Sequence, residues 1–365
     1  MTRWSAAAAT AWYATRPVPF GCNFVPSTAV NPLEMWQAAT FDLATIDREL
    51  GIAAGLGMNA VRVFLHDLLW IDPAGTIARI EAFLTCAAGH GIAVMLVLFE
   101  SCWNGAPVAG PQLPPRPGVH NSRWVQSPGM ATLADAGQRS RLEAYVTGLV
   151  RAFARDPRIM AWDIWNEPDN GPEVARRDVT TLKAKSELVL PLLGAAFGWV
   201  RAAGATQPLT SGIWSGDWSA RDRLTPIQRC QVDGSDVISF HNYDGGDEFA
   251  RRCDWLAALG RPVWCTEYMA RPRGSTFAAI LPVAASRGVA LFNWGLVRGR
   301  TQTHLPWDSW DHPYLGAAPE PWFHDICDPD GAPHDPAESA LLRRRATHVG
   351  TGNAAHDLTQ MESNA

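Results

Sequence analysis

The chain has no C-x-x-C pair: its cysteines, Cys22, Cys86, Cys102, Cys230, Cys253, Cys265 and Cys327, are odd in number and widely scattered. That argues against a disulfide framework and against a zinc site of the usual spacing, and makes a reducing cytoplasm the expected compartment. Charge of one sign is also scarce, with a formal net charge of -5 and "LLRRRA" as the one basic run. No nucleic-acid or anionic-membrane partner is therefore expected, and the run reads as a solvated helix end. The first residues, "MTRWSAAAATAWYATRPVPFGC", are broken by Trp12, Tyr13 and Arg16 and lack the apolar core of a secretion signal, which again points to a cytoplasmic protein.

What the sequence has is apolar surface and tryptophan. Hydrophobic residues make up 47% and charged residues 18% of the 365, so the chain has enough to bury for one large α/β domain or two ordinary ones. The 17 tryptophans are an excess. Core filling accounts for roughly half of such residues, and flat indoles that stack on sugar rings are one reason to keep the others.

Short apolar runs alternate with helical stretches eight times. The expected strands are 20–24, 59–65, 92–100, 159–167, 208–214, 236–243, 262–268 and 289–295, mostly continuous apolar runs of the kind that parallel strands buried on both faces require. Between them, Ile77, Ile80, Leu84 and Ala87, and likewise Leu142, Val146, Leu149 and Phe153, recur at helical spacing. Glycines in "AGLGMN", "AAGHGI", "AALGRP" and "ASRGVA" mark helix ends. Eight such units predict a single-domain (β/α)8 TIM barrel over residues 1–351, with a flexible tail over 352–365. The long connections, 101–137 and 296–335, the latter with Trp307, Trp310 and Trp322, are expected to shape a cleft on one face.

In such a barrel chemistry belongs at the carboxyl ends of strands. There the residues turn polar: Arg62, then His66 and Asp67; Glu100, then Trp103 and Asn104; Asn166 and Glu167; His241 and Tyr243; Glu267; Trp294. Glu167 and Glu267, on strands four and seven, face each other across the mouth. Two carboxyls so placed can cleave a glycosidic bond, one protonating the departing oxygen and the other attacking or stabilising the anomeric carbon. An isolated glutamate after a strand is more often a cap or a surface group, but burying a pair beside aromatic residues without a function would be costly.

"WNEP", then "HNY", then "TEY" about a hundred residues after the first, resembles the clan A glycoside hydrolases, in particular the cellulase-like family 5. The resemblance spans the barrel and rests on Arg62, Asn166, Glu167, His241, Tyr243, Glu267 and Trp294 in order. It implies a retaining β-glycosidase with Glu167 as acid/base and Glu267 as nucleophile, about 5 Å apart. It also implies that Asn166 holds the sugar 2-hydroxyl and that Trp294 floors the reacting ring. His241 would orient the acid/base or touch sugar hydroxyls, unless it is a satisfied core histidine. Trp165, Pro168 and Glu267 should raise the Glu167 pKa, while Arg62 and Tyr243 should hold Glu267 ionised. By resemblance to mannanase-like members, Trp103 and Asn104 contact sugar or only pack their loop. Arg62, Tyr243 and His66 are also counted among the substrate-binding candidates, although His66 and Asp67 depart from the commonest pattern, and Glu100 stands where many members have histidine or asparagine.

No cofactor or metal is expected. A metal hydrolase built on His66, Asp67, His241 and Glu267 would want an H-x-H on strand one, and "FGCNF" has none. A silent carbohydrate-binding barrel would not need both glutamates with Arg62 and Tyr243. The expected substrate is a short β-linked oligosaccharide or glycoside, with endo action on xylan, mannan or cellulose as the alternative; similar bacterial proteins are labelled β-1,4-xylanase-like. Oligomeric state is not legible.

Overall fold

In the computed structural model, which describes residues 2–171 and 179–349, the eight expected strands are all present. They are β1 (Phe20–Asn23), β2 (Ala60–Phe64), β3 (Ala93–Val97), β4 (Ile159–Asp163), β5 (Leu209–Thr210), β6 (Ile238–Asn242), β7 (Val263–Tyr268) and β8 (Ala290–Trp294). Every neighbouring pair is parallel, in the order β5-β4-β3-β2-β1-β8-β7-β6. A parallel bridge from Ile213 to Phe240 joins the two outer strands. The sheet thus returns on itself, and the architecture is a single (β/α)8 barrel. The expected tail, 352–365, lies outside the described residues.

The helices on its outside are α1 (Ala6–Ala14), α2 (Pro32–Trp36), α3 (Leu43–Gly55), α4 (Pro73–Gly89), α5 (Met130–Ala134), α6 (Arg139–Phe153), α7 (Val179–Ala202), α8 (Pro226–Gly234), α9 (Gly246–Ala257), α10 (Phe277–Arg287) and α11 (Pro336–Val349). Ile80, Leu84 and Ala87 of α4 and Leu142, Val146, Leu149 and Phe153 of α6 are buried against the strands, as the 3.6-residue period requires. The punctuating glycines Gly57, Gly91, Gly260 and Gly288 all have positive φ, where a Cβ would be strained. Gly21 is required for another reason: a Cβ there would lie 1.7 Å from the Ala60 carbonyl oxygen, inside the β1–β2 contact.

Three apolar runs go well past their strands. The third ends at Val97 rather than Glu100, the fourth at Asp163 rather than Glu167, and the fifth at Thr210 rather than Trp214. Beyond those points the chain leaves the ladder, and Glu100 forms isolated bridges to Ser127 and Asn166. The apolar run continues because Leu98, Phe99, Ile164 and Trp165 still pack into the outer core. Within the basic run Arg343 and Arg344 are exposed, as expected, but in α11 the Arg345 guanidinium lies over the Phe20 ring, 3.9 Å from its centroid.

Inside the barrel, Ala60, Met95, Ala161, Trp264, Ala290 and Phe292 form an apolar layer towards the amino ends of the strands, covered by Trp12 and Tyr13 of α1. One residue pair further along, the inward positions become polar with Asn23, Arg62 and Asp163. The seven cysteines are free thiols. Among the described residues no helix is long and apolar enough to cross a membrane.

Candidate active site

Arg62 is the hub beneath the site. It is wholly buried on β2 and donates to four partners: Asp163 (Nε to Oδ2, 2.9 Å), Asn23 (2.7 Å), Glu267 (Nη1 to Oε1, 2.9 Å) and Asn166 (Nη2 to Oδ1, 2.6 Å). A planar guanidinium with its donors committed in this way fixes both acceptors above it. Arg62 does not line the cavity, so the expected sugar contact is corrected to a positioning role. Asn166 receives Arg62 on its oxygen and donates Nδ2 to Glu100 Oε2 at 2.9 Å, which sets the orientation of its amide.

The two glutamates meet as expected. Glu167, His241 and Glu267 each bring a side-chain ligand atom within 4.8 Å of the others, so the carboxyls are close enough for attack on one sugar carbon and closer than an inverting pair, at roughly 6.5–9.5 Å, would stand. Each has its own set of donors. Glu267 Oε2 accepts from the Tyr243 hydroxyl at 2.7 Å while Oε1 accepts from Arg62. Glu167 shares a 2.7 Å hydrogen bond with His241 Nδ1, and its other oxygen accepts from Asn170 Nδ2 (2.5 Å) and the Cys102 thiol (3.1 Å). Glu167 itself has φ 45°, a strained conformation for a non-glycine residue, at the point where the chain turns out of the strand.

The proton is not held where the neighbouring sequence suggests. Burial favours a neutral Glu167, but the hydrogen bond and charge of His241, with Asn170 and Cys102, outweigh it and bring the carboxyl down to about 2. Burial likewise disfavours a charged His241, yet the charges of Glu267 and Glu167 and the bond to Glu167 raise its pKa. The shared proton therefore rests on the imidazole side of the Glu167–His241 pair. Trp165 does not raise Glu167: its ring packs on Phe99 in the outer core and its Nε1 donates to Ser101. Glu267 is raised, chiefly by burial with the charge of Glu167 adding, against His241, Arg62 and Tyr243. A third carboxyl, Glu100, is pushed up to about 7 by burial and the two glutamates, opposed by hydrogen bonding at Cys102.

These groups open on a cavity of about 420 Å³. Asn166, Glu167, His241, Tyr243, Glu267, Trp294 and Trp103 line it, as the sequence led us to expect. Trp294 stands on Phe64 and Trp124. Two expected sugar contacts besides Arg62 are not among its walls. Asn104 is exposed, and its Oδ1 caps the Ala106 N–H, so it shapes the loop. His66 is buried away from the cavity, its Nδ1 accepting from the Leu68 N–H, while Asp67 pairs with Ser127 and Arg141. The metal set that includes His66 and Asp67 is therefore not assembled. Asp47, Cys86 and His90 form a second cluster of ligand-type side chains, between α3 and α4 and away from this cavity.

Trp307 also lines the cavity, as its place on the second long connection led us to expect, but sequence reasoning missed Cys102, Asn170, His120 and His324. Asn170 had a signal: it lies three residues after Glu167, the reach of one turn. The others arrive on the two long connections, which are locked together. Asn121 N–H donates to the Thr301 carbonyl (2.7 Å), His120 Nδ1 bonds to the Leu305 carbonyl (2.8 Å), and Trp103 stacks on Trp310 at 4.8 Å and 8°.

The sequence profile of cellulase, glycosyl hydrolase family 5, matches residues 38–299. The chain belongs to glycosyl hydrolase family 5. It is accordingly a glycoside hydrolase of the retaining type, and the carboxyl spacing agrees with that. No curated protein matches it in sequence. Among solved structures it is similar to a single-residue variant of GH5_18 from Streptomyces cattleya in complex with Manb1-4GlcNAc (18% identity, 93% of this chain and 82% of that one, TM-score 0.58). It also resembles the exo-beta-1,4-mannosidase Op5Man5 from Opitutaceae bacterium strain TAV5 (18%, 91% and 60%, TM-score 0.59). A third is a hyperthermostable endo-1,4-beta-D-mannanase from Thermotoga petrophila RKU-1 (14%, 91% and 99%, TM-score 0.56). At these identities the likeness is one of fold, and family 5 membership rests on the profile.

Proposed function

We propose that this family 5 enzyme hydrolyses short β-linked oligosaccharides or glycosides, with Glu167 as acid/base and Glu267 as nucleophile, and that β-mannosides are its preferred glycones. The observation that carries the reading is the carboxyl pair within 4.8 Å, each member held by different donors. In the first step Glu267 attacks the anomeric carbon as the glycosidic C–O bond breaks. The leaving oxygen takes the Glu167 proton, which His241 supplies along their 2.7 Å hydrogen bond. In the second step water attacks the glycosyl ester, Glu167 accepts its proton, and Glu267 departs as carboxylate. Asn166 binds the 2-hydroxyl in this reading, a contact that strengthens as charge develops, and its fixed hydrogen bonds to Arg62 and Glu100 support that role.

Action on short substrates is supported by the interlocked long loops, from which Trp103, stacked on Trp310, forms part of the cavity wall. The mannoside preference is supported by the mannose-related structures named above. Wild type and Glu267→Ala, assayed on aryl β-mannoside, glucoside, xyloside, galactoside, arabinoside and fucoside, test the reading together. Glu267→Ala should lose turnover by orders of magnitude, and azide should restore it as the glycosyl azide of inverted configuration. A retained azide product would reverse the two roles. Release of internal fragments from mannan or xylan as readily as cleavage of aryl glycosides would favour endo action.

A further inference from the structure

The double displacement makes no use of His324. Its ring, carried by the connection after β8, is fully buried yet forms part of the cavity wall. Nδ1 bonds to the Met269 carbonyl. In a neutral ring that bond places the hydrogen on Nδ1 and leaves Nε2 an acceptor. Burial, with His120 alongside, pushes the imidazole well below its ordinary range, so the neutral form is the relevant one. Nε2 has no hydrogen-bond partner. A buried acceptor without a donor is costly, and where its ring lines a binding cavity a ligand can supply the missing donor. A sugar hydroxyl is such a donor.

The arrangement around Glu267 indicates which hydroxyl. The anomeric carbon of a pyranose has two ring neighbours, C-2 and the ring oxygen. Oε1 of Glu267 is tied through Arg62 to Asn166, and since Asn166 is proposed above to bind the 2-hydroxyl, C-2 belongs on that side. Oε2 is tied to Tyr243 and so faces the ring oxygen. His324 packs on the Tyr243 ring (5.5 Å between centroids) and on Trp307 (5.9 Å), one step further from Glu267. The next ring atom beyond the oxygen is C-5, which carries a hydroxymethyl group in a hexose and none in a pentose.

We propose that His324 accepts a hydrogen bond from the 6-hydroxyl of the sugar held over Glu267, making the enzyme selective for hexosides over pentosides and 6-deoxy sugars. His120, also a lining residue and tethered to the Leu305 carbonyl, packs against the His324 ring at 5.3 Å and limits its movement. This specificity rests on the glycosidase reading above and on Glu267 as its nucleophile.

The test compares kcat/KM for the 4-nitrophenyl β-hexoside that wild type cleaves best with its 6-deoxy counterpart, in wild type, His324→Phe and His324→Gln. Wild type should favour the 6-hydroxylated substrate by about tenfold or more, the worth of one well-made hydrogen bond. His324→Phe keeps a ring but no acceptor, and its preference should collapse towards one through loss on the hexoside alone. His324→Gln, with an amide oxygen, should regain part of it. Each ratio is taken on a single preparation, so partial misfolding scales both rates and leaves it unchanged. An active wild type indifferent to the 6-hydroxyl, or an equal loss on both substrates in His324→Phe, overturns the proposal while leaving the glycosidase reading intact. Wild type inert on every aryl β-glycoside overturns both.

Discussion

His241 sits between the two carboxyls, 2.7 Å from Glu167 and 3.5 Å from Glu267, and in the mechanism proposed above it holds the proton that leaves with the aglycone. Its pKa is raised, so the proton is bound at low pH and lost as pH rises through that raised value. The alkaline limb of kcat/KM should therefore belong to the Glu167–His241 pair. In His241→Asn, Glu167 must hold the proton alone. It loses its principal lowering contacts, so its pKa climbs from about 2, yet no imidazole remains to hold the proton to higher pH. The alkaline limb should move to lower pH and kcat/KM should fall by roughly 10²–10³. Profiles of kcat/KM against pH for both enzymes check this, and an unmoved limb would assign the proton elsewhere. At this scale the sequence was most readable where a residue sits on a strand end, because the barrel dictates its direction: His241, Glu267 and Trp294 belong to β6, β7 and β8. It was least readable a few positions beyond. His66 and Asn104 follow their strands by two and seven residues, and no periodicity says which way a side chain points once the ladder has ended.

The elements that carry the site are as much connections as strands. Gln302 shows how the two long loops are joined. Its Nε2 donates to the carbonyls of Arg116 (2.7 Å) and Val119 (2.9 Å), and its Oε1 accepts from the Gly118 N–H (3.1 Å). Gln302→Ala leaves those backbone groups to find water. The expected result is a loss of about 1–2 kcal/mol in stability, with KM for aryl glycosides raised several-fold and kcat less affected, because the wall bearing Trp103 and His120 loosens while Glu167 and Glu267 keep their donors. Thermal unfolding and steady-state kinetics measure the two effects, and a fall in kcat at constant KM would contradict it. Lys185 does similar work on the other flank: its buried ammonium donates to the carbonyls of Ser101 (2.8 Å) and Asn170 (2.7 Å), holding the Glu167 turn against the loop with Cys102. Neither tie was legible. The Lys185–Ser101 bond spans 84 positions and the Gln302–Arg116 bond 186, and both end on backbone carbonyls, which carry no sequence signature.

At the scale of the whole molecule, the two ends of the barrel have separate tasks: the carboxyl ends of the strands carry the catalytic groups, and the amino ends are sealed. The eightfold alternation was plain in the sequence. The seal was not, because "AAAATAWYA" is apolar all round and shows no face that would assign it a partner. In the structure, Trp12 and Tyr13 of that helix lie 6.2 Å and 6.1 Å from Trp264, the largest residue of the inner apolar layer, which is fully buried. Polar contacts secure the segment: the Arg3 guanidinium donates to the carbonyls of Ser235 and Val232, the Trp4 N–H to Asp236, and the Tyr13 hydroxyl to the Gly288 carbonyl. Removing residues 2–16 would open the Trp264 layer to water. Exposure of one large aromatic costs about 1.5–3 kcal/mol, and the hydrogen bonds lost with it bring the expected destabilisation to roughly 3–5 kcal/mol. The truncated protein should melt at lower temperature and show red-shifted tryptophan emission. At a temperature where it remains folded, its kcat should match that of the full chain, since Arg62 and Asp163 lie between that layer and the carboxyl pair. A proportionate fall in kcat would mean that packing at the sealed end reaches Glu267 through the polar layer, and the division of tasks between the two ends would not hold.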